Sequence, residues 1–188
     1  MWIAALVGAA ATLAGQASLP SNPMPKVPTV ADPAVGLDLW RGAKVGMSVG
    51  QVQRLFPGGV APAQPTTLTG GEVDRLQLAG VDLDGHAAVA HFFFRDAALL
   101  SVELTLADVL PAASVRNVEI AKHISADLTA RYGAGYDCGD ESFGDVAAYE
   151  CKWLKGRLSI RLWYMDTAGQ GPLFYLAYRQ ADDPSYNL

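Results

Sequence analysis

The sequence predicts an α+β fold made of two helix-plus-three-stranded antiparallel units, an αβββ-αβββ order that forms a layer of helices on a sheet. Two stretches carry apolar residues at helical spacing, and each is followed by three predicted strands, of which 99–106 and 157–165 alternate apolar and polar residues most clearly. Turn signals join neighbouring strands, which favours antiparallel pairing. Hairpin sheets covered by helices on one face form α+β layers.

The first helix is predicted over residues 49–56, after Gly46-Met47-Ser48. Ser48 is a good N-cap, and Gln51 stands three residues later, where a capping box places Glu or Gln. Val49 and Val52 then share one face of the helix. Pro57 ends the helix, because the residue before a proline is disfavoured in the helical conformation.

Three strands are predicted to follow in the first half, over residues 73–81, 86–94 and 99–106. Asp84-Gly85 between the first two is a strong signal for a two-residue hairpin. The last of the three alternates most regularly, because its Leu and Val residues occupy every second position between 100 and 106. This half therefore predicts a three-stranded meander.

The second half repeats this order. A helix is predicted over residues 114–132, with Gly133 at the position of a left-handed C-cap. Strands are predicted over residues 147–154, 157–165 and 173–179. We therefore expect a single domain over residues 39–181 with two similar halves, 39–110 and 111–181, although the halves share no residue-level identity.

The segment before the domain is interpreted as an export signal. An apolar run from Trp2 to Ala14 is followed by small residues, which predicts a signal peptide over residues 1–17 with cleavage after Ala17. The alternative is a buried N-terminal helix. The run is shorter than the ~20 apolar residues that a membrane span needs. Residues 18–38, which contain five prolines, are interpreted as a linker, and residues 182–188 as a frayed tail.

The two cysteines, Cys138 and Cys151, are predicted to form a disulfide, because an even cysteine count in an exported chain favours pairing. The alternative is a pair of buried thiols in a cytosolic protein. Together with the signal segment, the pair predicts a periplasmic or secreted protein.

The net charge of −5 disfavours nucleic acid as a partner, because phosphate binding needs clustered Lys and Arg and the sequence has no basic run. Contact with a membrane is expected only through the signal segment, if that segment is retained uncleaved.

No catalytic, cofactor-binding or metal-binding residues are predicted. His86 and His91 differ by an odd number and so face opposite sides of a regular strand. The acidic stretch 137–145 lacks the spacing of a calcium loop and is interpreted as a solvated loop. The sequence contains neither a nucleophile elbow nor a phosphate-binding loop.

The chain resembles the SmpA/OmlA (BamE-like) domains over residues 42–106. The resemblance rests on Gly46-Met47-Ser48-x-x-Gln51-Val52 and on the Phe-rich strand at 92–94, which turns and returns as Ala98-Leu99-Leu100-Ser101-Val102. Those domains are small periplasmic proteins of outer-membrane assembly with a β-lactamase-inhibitor-protein-like fold. The resemblance implies that fold and a role in binding other proteins.

Aromatic residues on strand faces are the most informative surface feature. Phe93, Trp153, Arg161 and Trp163 are the candidate partner-binding residues, although burial of both sheet faces would also account for the rings. The leading hypothesis is an exported, non-catalytic module that binds an envelope or secreted protein. The alternative is a small-ligand-binding or hydrolytic protein that uses a cleft between the two halves.

Overall fold

A computed structural model describes residues 36–108, 114–144, 146–167 and 171–181. The predicted signal peptide, residues 18–35 of the predicted linker and the predicted tail lie outside the described residues. The first strand begins at Asp38, so the predicted linker overlaps the folded part of the chain by one strand residue.

The described chain contains two helices and nine strands. In chain order they are β1 (Asp38–Trp40), β2 (Ala43–Lys44), α1 (Val49–Leu55), β3 (Val73–Leu83), β4 (His86–Arg95), β5 (Ala98–Leu106), α2 (Ser114–Tyr132), β6 (Tyr136–Asp140), β7 (Ala147–Lys155), β8 (Leu158–Thr167) and β9 (Gly171–Gln180). Strands β1 and β2 form a separate two-stranded ribbon.

The prediction of two helix-plus-three-strand units is wrong, and the inhibitor-protein-like arrangement that rested on it is corrected with it. Strands β3 to β9 form one seven-stranded antiparallel sheet in the order β3-β4-β5-β9-β8-β7-β6. Strands β5 and β9 pair from Ser101↔Arg179 to Leu104↔Leu176, which joins the two halves. Separate units would each leave these strands with an unpaired edge, and pairing satisfies the backbone groups of both.

Both predicted helices are present, and local hydrogen bonds explain where they start and stop. The backbone N–H of Ser48 donates to Oε1 of Gln51 at 2.7 Å, and the Ser48 hydroxyl accepts from the Gln51 N–H, which confirms the capping box. Helix α2 ends at Tyr132, and the next residue, Gly133, has a φ of 93°, the left-handed conformation that glycine adopts without strain. Its N–H donates to the carbonyl of Thr129.

One face of the sheet, called the helix face below, forms the core. A single row of side chains crosses six strands on this face and is buried throughout: Leu76, Phe92, Val102, Tyr178, Ile160 and Trp153. Val52 of α1 and Ile124 and Leu128 of α2 belong to the same core cluster. Both helices therefore cover the same side of the sheet.

Strand β6 was not predicted, because Gly and Asp are depleted in strands and its side chains are largely exposed. Tertiary contacts hold it at the edge of the sheet. Cys138 on β6 forms a disulfide with Cys151 on β7, which confirms the predicted pair. A Cβ at Gly135 would lie 2.6 Å from the Cys138 sulfur and 2.7 Å from that of Cys151, so only glycine fits there. The disulfide is compatible with an oxidising, extracytoplasmic compartment.

Within the described ranges, neither helix is long and apolar enough to cross a membrane.

The tip of the β3–β4 hairpin is tied to α2 by an ion pair whose strength depends on pH. His123 Nδ1 lies 2.9 Å from Asp84 Oδ2, and this hydrogen bond, helped by the charge of Asp127, raises the pKa of His123 above its usual 6.5. A raised folded-state pKa stabilises the fold below the unfolded-state pKa, and this contribution disappears as pH rises through the folded-state value. We expect His123→Gln to lower the melting temperature at about pH 5.5 and to leave it unchanged at about pH 9.

Asp84→Asn is the matched partner for a double-mutant cycle, because Asn tolerates the positive φ of position 84. The coupling between the two substitutions should be measurable at the lower pH and absent at the higher one. Equal coupling at both values would show that the pair does not act through the charge of His123.

Candidate functional site

The face of the sheet opposite the helices, called the open face below, carries polar and charged side chains. Among the described residues, no helix packs on this face. The row next to the buried one crosses the same six strands and is called the charged row: Gln77, His91, Glu103, Ala177, Arg161 and Lys152. Opposite charges directly across a strand pair stabilise a sheet and like charges destabilise it, so the contacts of these groups decide what this face can do.

At the β3–β4 end of the open face, a buried carboxylate holds a histidine. Asp74 Oδ2 lies 2.9 Å from His91 Nδ1 and accepts a 2.6 Å hydrogen bond from Gln77. The other ring nitrogen of His91 lies 3.1 Å from the hydroxyl of Thr105. The register shift between Asp74 and Leu76 turns Asp74 toward this face, which the sequence alone did not predict.

An Asp–His–hydroxyl chain is also the arrangement of nucleophilic triads, so its surroundings matter. Glu103 lies directly across from His91 and two residues from Thr105 on the same face of β5. A nearby carboxylate opposes the negative charge that builds up during attack by a hydroxyl. We therefore interpret the chain Asp74–His91–Thr105 as a network that fixes the open face rather than as a reaction centre.

The centre of the open face is an ion pair between neighbouring strands. Arg179 Nη2 donates a 2.6 Å hydrogen bond to Glu103 Oε1. Burial raises the pKa of Glu103, and the charges of Arg179 and His91 act in the opposite direction. Both side chains are mostly buried, so truncating either one would leave a desolvated charge behind.

The β7–β8–β9 side of the open face combines one exposed cation with an aromatic pair. The Arg161 side chain bonds Glu150 through Nε and places its guanidinium carbon 5.9 Å from the centre of the Tyr175 ring. Trp163 and Tyr175 lie directly across from each other on β8 and β9, with ring centres 5.2 Å apart. Burial raises the pKa of the Tyr175 phenol, while the charge of Arg161 lowers it.

Apolar side chains extend this aromatic pair toward the end of the sheet. Met165 and Leu173 form the next cross-strand pair on the same face, and Leu173 is exposed. We call Trp163, Tyr175, Met165 and Leu173 the aromatic pad. It contains the one half-buried tryptophan of the described residues, since Trp40 and Trp153 are buried.

The structure separates the four residues predicted to bind a partner. Trp153 is 1% exposed and belongs to the helix face, where its indole N–H donates to Thr129. Phe93 lies on the open face but is only 3% exposed. Arg161 and Trp163 are accessible and adjacent, so we keep these two as candidates and leave out the other two.

Sequence reasoning missed Tyr175 and Leu173 as site residues. The signal was present in the period-2 pattern of the last strand, because Phe174, Leu176 and Tyr178 face the core and the alternate residues must face the other way. What the pattern did not contain was the register between β8 and β9, which places Tyr175 opposite Trp163.

Metal centres and clefts are the other kinds of site that the described part of the chain could contain. There, no three His, Cys, Asp or Glu side chains converge to hold a metal ion. A cleft of about 360 Å³ lies beside α1 and is lined by residues that include Val49, Arg75, Phe94 and Arg95. Arg95 is engaged there by Glu72 at 2.7 Å. At the boundary between the predicted halves, the structure has the hydrogen-bonded strands β5 and β9.

No family model matches this chain, and the comparisons with curated proteins and with solved structures found no match either. The resemblance to the SmpA/OmlA domains therefore stays a prediction.

Proposed function

We propose that this protein is an exported binding module that docks another envelope or secreted protein through the aromatic pad and Arg161. The observation that carries the proposal is the half-buried Trp163–Tyr175 pair beside an exposed arginine, on the sheet face opposite both helices. Tyr, Trp and Arg are the residues most enriched at the energetic centres of protein interfaces.

The pad is well suited to binding because its backbone is already ordered. Strands β8 and β9 pair without a register shift from Leu158↔Gln180 to Thr167↔Gly171. Rings held on a regular strand pair lose little conformational freedom when a partner covers them, which leaves more of the contact energy for affinity. The ion pairs around Glu103 and Glu150 form a polar border around the pad.

The proposal also includes the compartment in which the protein acts. The predicted signal peptide over residues 1–17 and the disulfide between Cys138 and Cys151 both support a periplasmic or secreted location. A role like that of the SmpA/OmlA domains, which assist assembly at the outer membrane, is consistent with the capping-box helix and the β4–β5 hairpin.

Site-specific photo-crosslinking tests the docking surface. The crosslinker p-benzoylphenylalanine replaces Trp163 in one variant and Leu55, an exposed residue of α1, in the control. After irradiation in living cells of the source organism, we expect position 163 to yield a discrete crosslinked protein and position 55 to yield none. Crosslinks of the same size and yield from both positions would contradict a specific open-face interface.

A further inference from the structure

We propose that the partner presents a carboxylate to Arg161, next to an apolar side chain that packs on Trp163 and Tyr175. The inference rests on the proposed docking function and names the chemistry of the segment that docks. It follows from how charges are exposed on the open face and from how Arg161 is held.

The carboxylate that Arg161 bonds is buried, whereas the Arg161 guanidinium faces solvent. The side chain of Glu150 is 6% exposed, whereas that of Arg161, which it bonds, is 46% exposed. The Lys152 ammonium lies 3.1 Å from the other oxygen of Glu150. Lys152 is also bonded by the exposed carboxylate of Asp137 at 2.6 Å. At Arg161, a docking protein therefore meets a cation first, although the whole chain carries a net charge of −5.

Arg161 is held in a defined orientation. Its Nε donates to Glu150, and its guanidinium carbon lies 5.9 Å from the centre of the Tyr175 ring. A bond through Nε leaves the edge with the two Nη atoms for a second acceptor. That edge fits the two oxygens of a carboxylate, and its orientation is fixed before the partner arrives.

The aromatic pad determines what stands beside the carboxylate. Trp163 and Tyr175 offer ring surface next to the guanidinium, and Leu173 extends that surface with an exposed apolar group. Burying apolar area there is favourable only when the partner side chain is itself apolar. An acidic residue flanked by Leu, Phe or a similar residue therefore matches both parts of the surface.

Selection from a phage-displayed library of random short peptides tests this chemistry without assuming a partner. We expect the native protein to enrich peptides that carry Asp or Glu next to an apolar residue. Arg161→Gln should weaken the affinity of those peptides by about tenfold to a hundredfold, as expected for loss of a charge-assisted hydrogen bond. High salt should also weaken it.

Lys155→Gln is the matched control, because it removes one positive charge from a site on the other face of the sheet. The Lys155 ammonium lies 5.7 Å from the ring centre of Tyr132 on α2. This variant should bind the selected peptides as tightly as the native protein does. Thermal melts of both variants establish that each is folded.

Different outcomes of these experiments test the acidic partner and the docking surface separately. Enriched peptides with no excess of Asp or Glu, or peptides that bind Arg161→Gln as tightly as the native protein, overturn the acidic partner. If Trp163→Ala no longer binds those peptides, the aromatic pad is a docking surface that does not select acidic partners. If Trp163→Ala still binds them, the proposed docking surface is wrong. Arg161-dependent binding to phosphatidylglycerol vesicles with no peptide enriched also overturns the inference.

Discussion

Replacement of Trp153 with Ala is expected to lower the free energy of unfolding by about 3–5 kcal/mol, the range for loss of a buried aromatic side chain. Trp153 is 1% exposed and packs between the sheet and α2, where its indole N–H donates to Thr129 at 3.3 Å. The substitution removes the packed ring and leaves the Thr129 hydroxyl without this donor. Urea denaturation followed by circular dichroism measures the loss.

Trp163→Ala is the control, because it removes the same side chain from the open face. Trp163 is half-buried and packs mainly on Tyr175, a contact worth about 0.5–1.5 kcal/mol beyond the area it buries. We expect a small change in unfolding free energy and weaker binding of the peptides selected on the native protein. If the two substitutions lower the free energy of unfolding by the same amount, the assignment of Trp153 to the core and of Trp163 to the surface is wrong.

Loss of the disulfide is expected to lower the free energy of unfolding by about 2–4 kcal/mol. The bond between Cys138 and Cys151 fixes the edge strand β6, whose side chains are mostly exposed, to a buried position on β7. Without the bond, β6 keeps its backbone pairing and two ion pairs, Asp137 with Lys152 at 2.6 Å and Asp140 with Lys122 at 3.6 Å. Urea unfolding with and without reductant measures the effect.

The two cysteines make a matched pair of variants. Cys138 is exposed and Cys151 is buried, so Cys138→Ser removes the bond without burying a new hydroxyl. Cys151→Ser should lower the free energy of unfolding more than Cys138→Ser does, because a buried hydroxyl that lacks a partner is itself unfavourable. Reductant should not destabilise either variant further. A native protein whose stability is unaffected by reductant would show that β6 is held by other contacts.

Local patterns were enough to predict both helices and six of the strands. Ser48 and Gln51 mark the start of α1 because a capping box needs only residues three apart, and Gly133 marks the end of α2 because its φ is a property of one residue. The pairing of Cys138 with Cys151 followed from there being only two cysteines.

The assembly of those elements depended on contacts between distant segments. Nothing near Ser101 or Arg179 in the sequence reveals that their strands pair and merge the two halves into one sheet, since a strand edge accepts any partner with free backbone groups. Strand β6 was missed for the same reason, because a disulfide and an edge pairing hold residues whose own propensity opposes a strand.

Part of the candidate site could likewise be predicted from the sequence, and the rest only from the tertiary structure. Alternation along β8 places Arg161 and Trp163 on one face, and this can be read from the chain because side chains alternate with a period of two. Only the tertiary structure places Tyr175 against Trp163, Glu150 against Arg161 and Trp153 under α2. Register between strands is set by the packing of a whole face, so no single strand contains it.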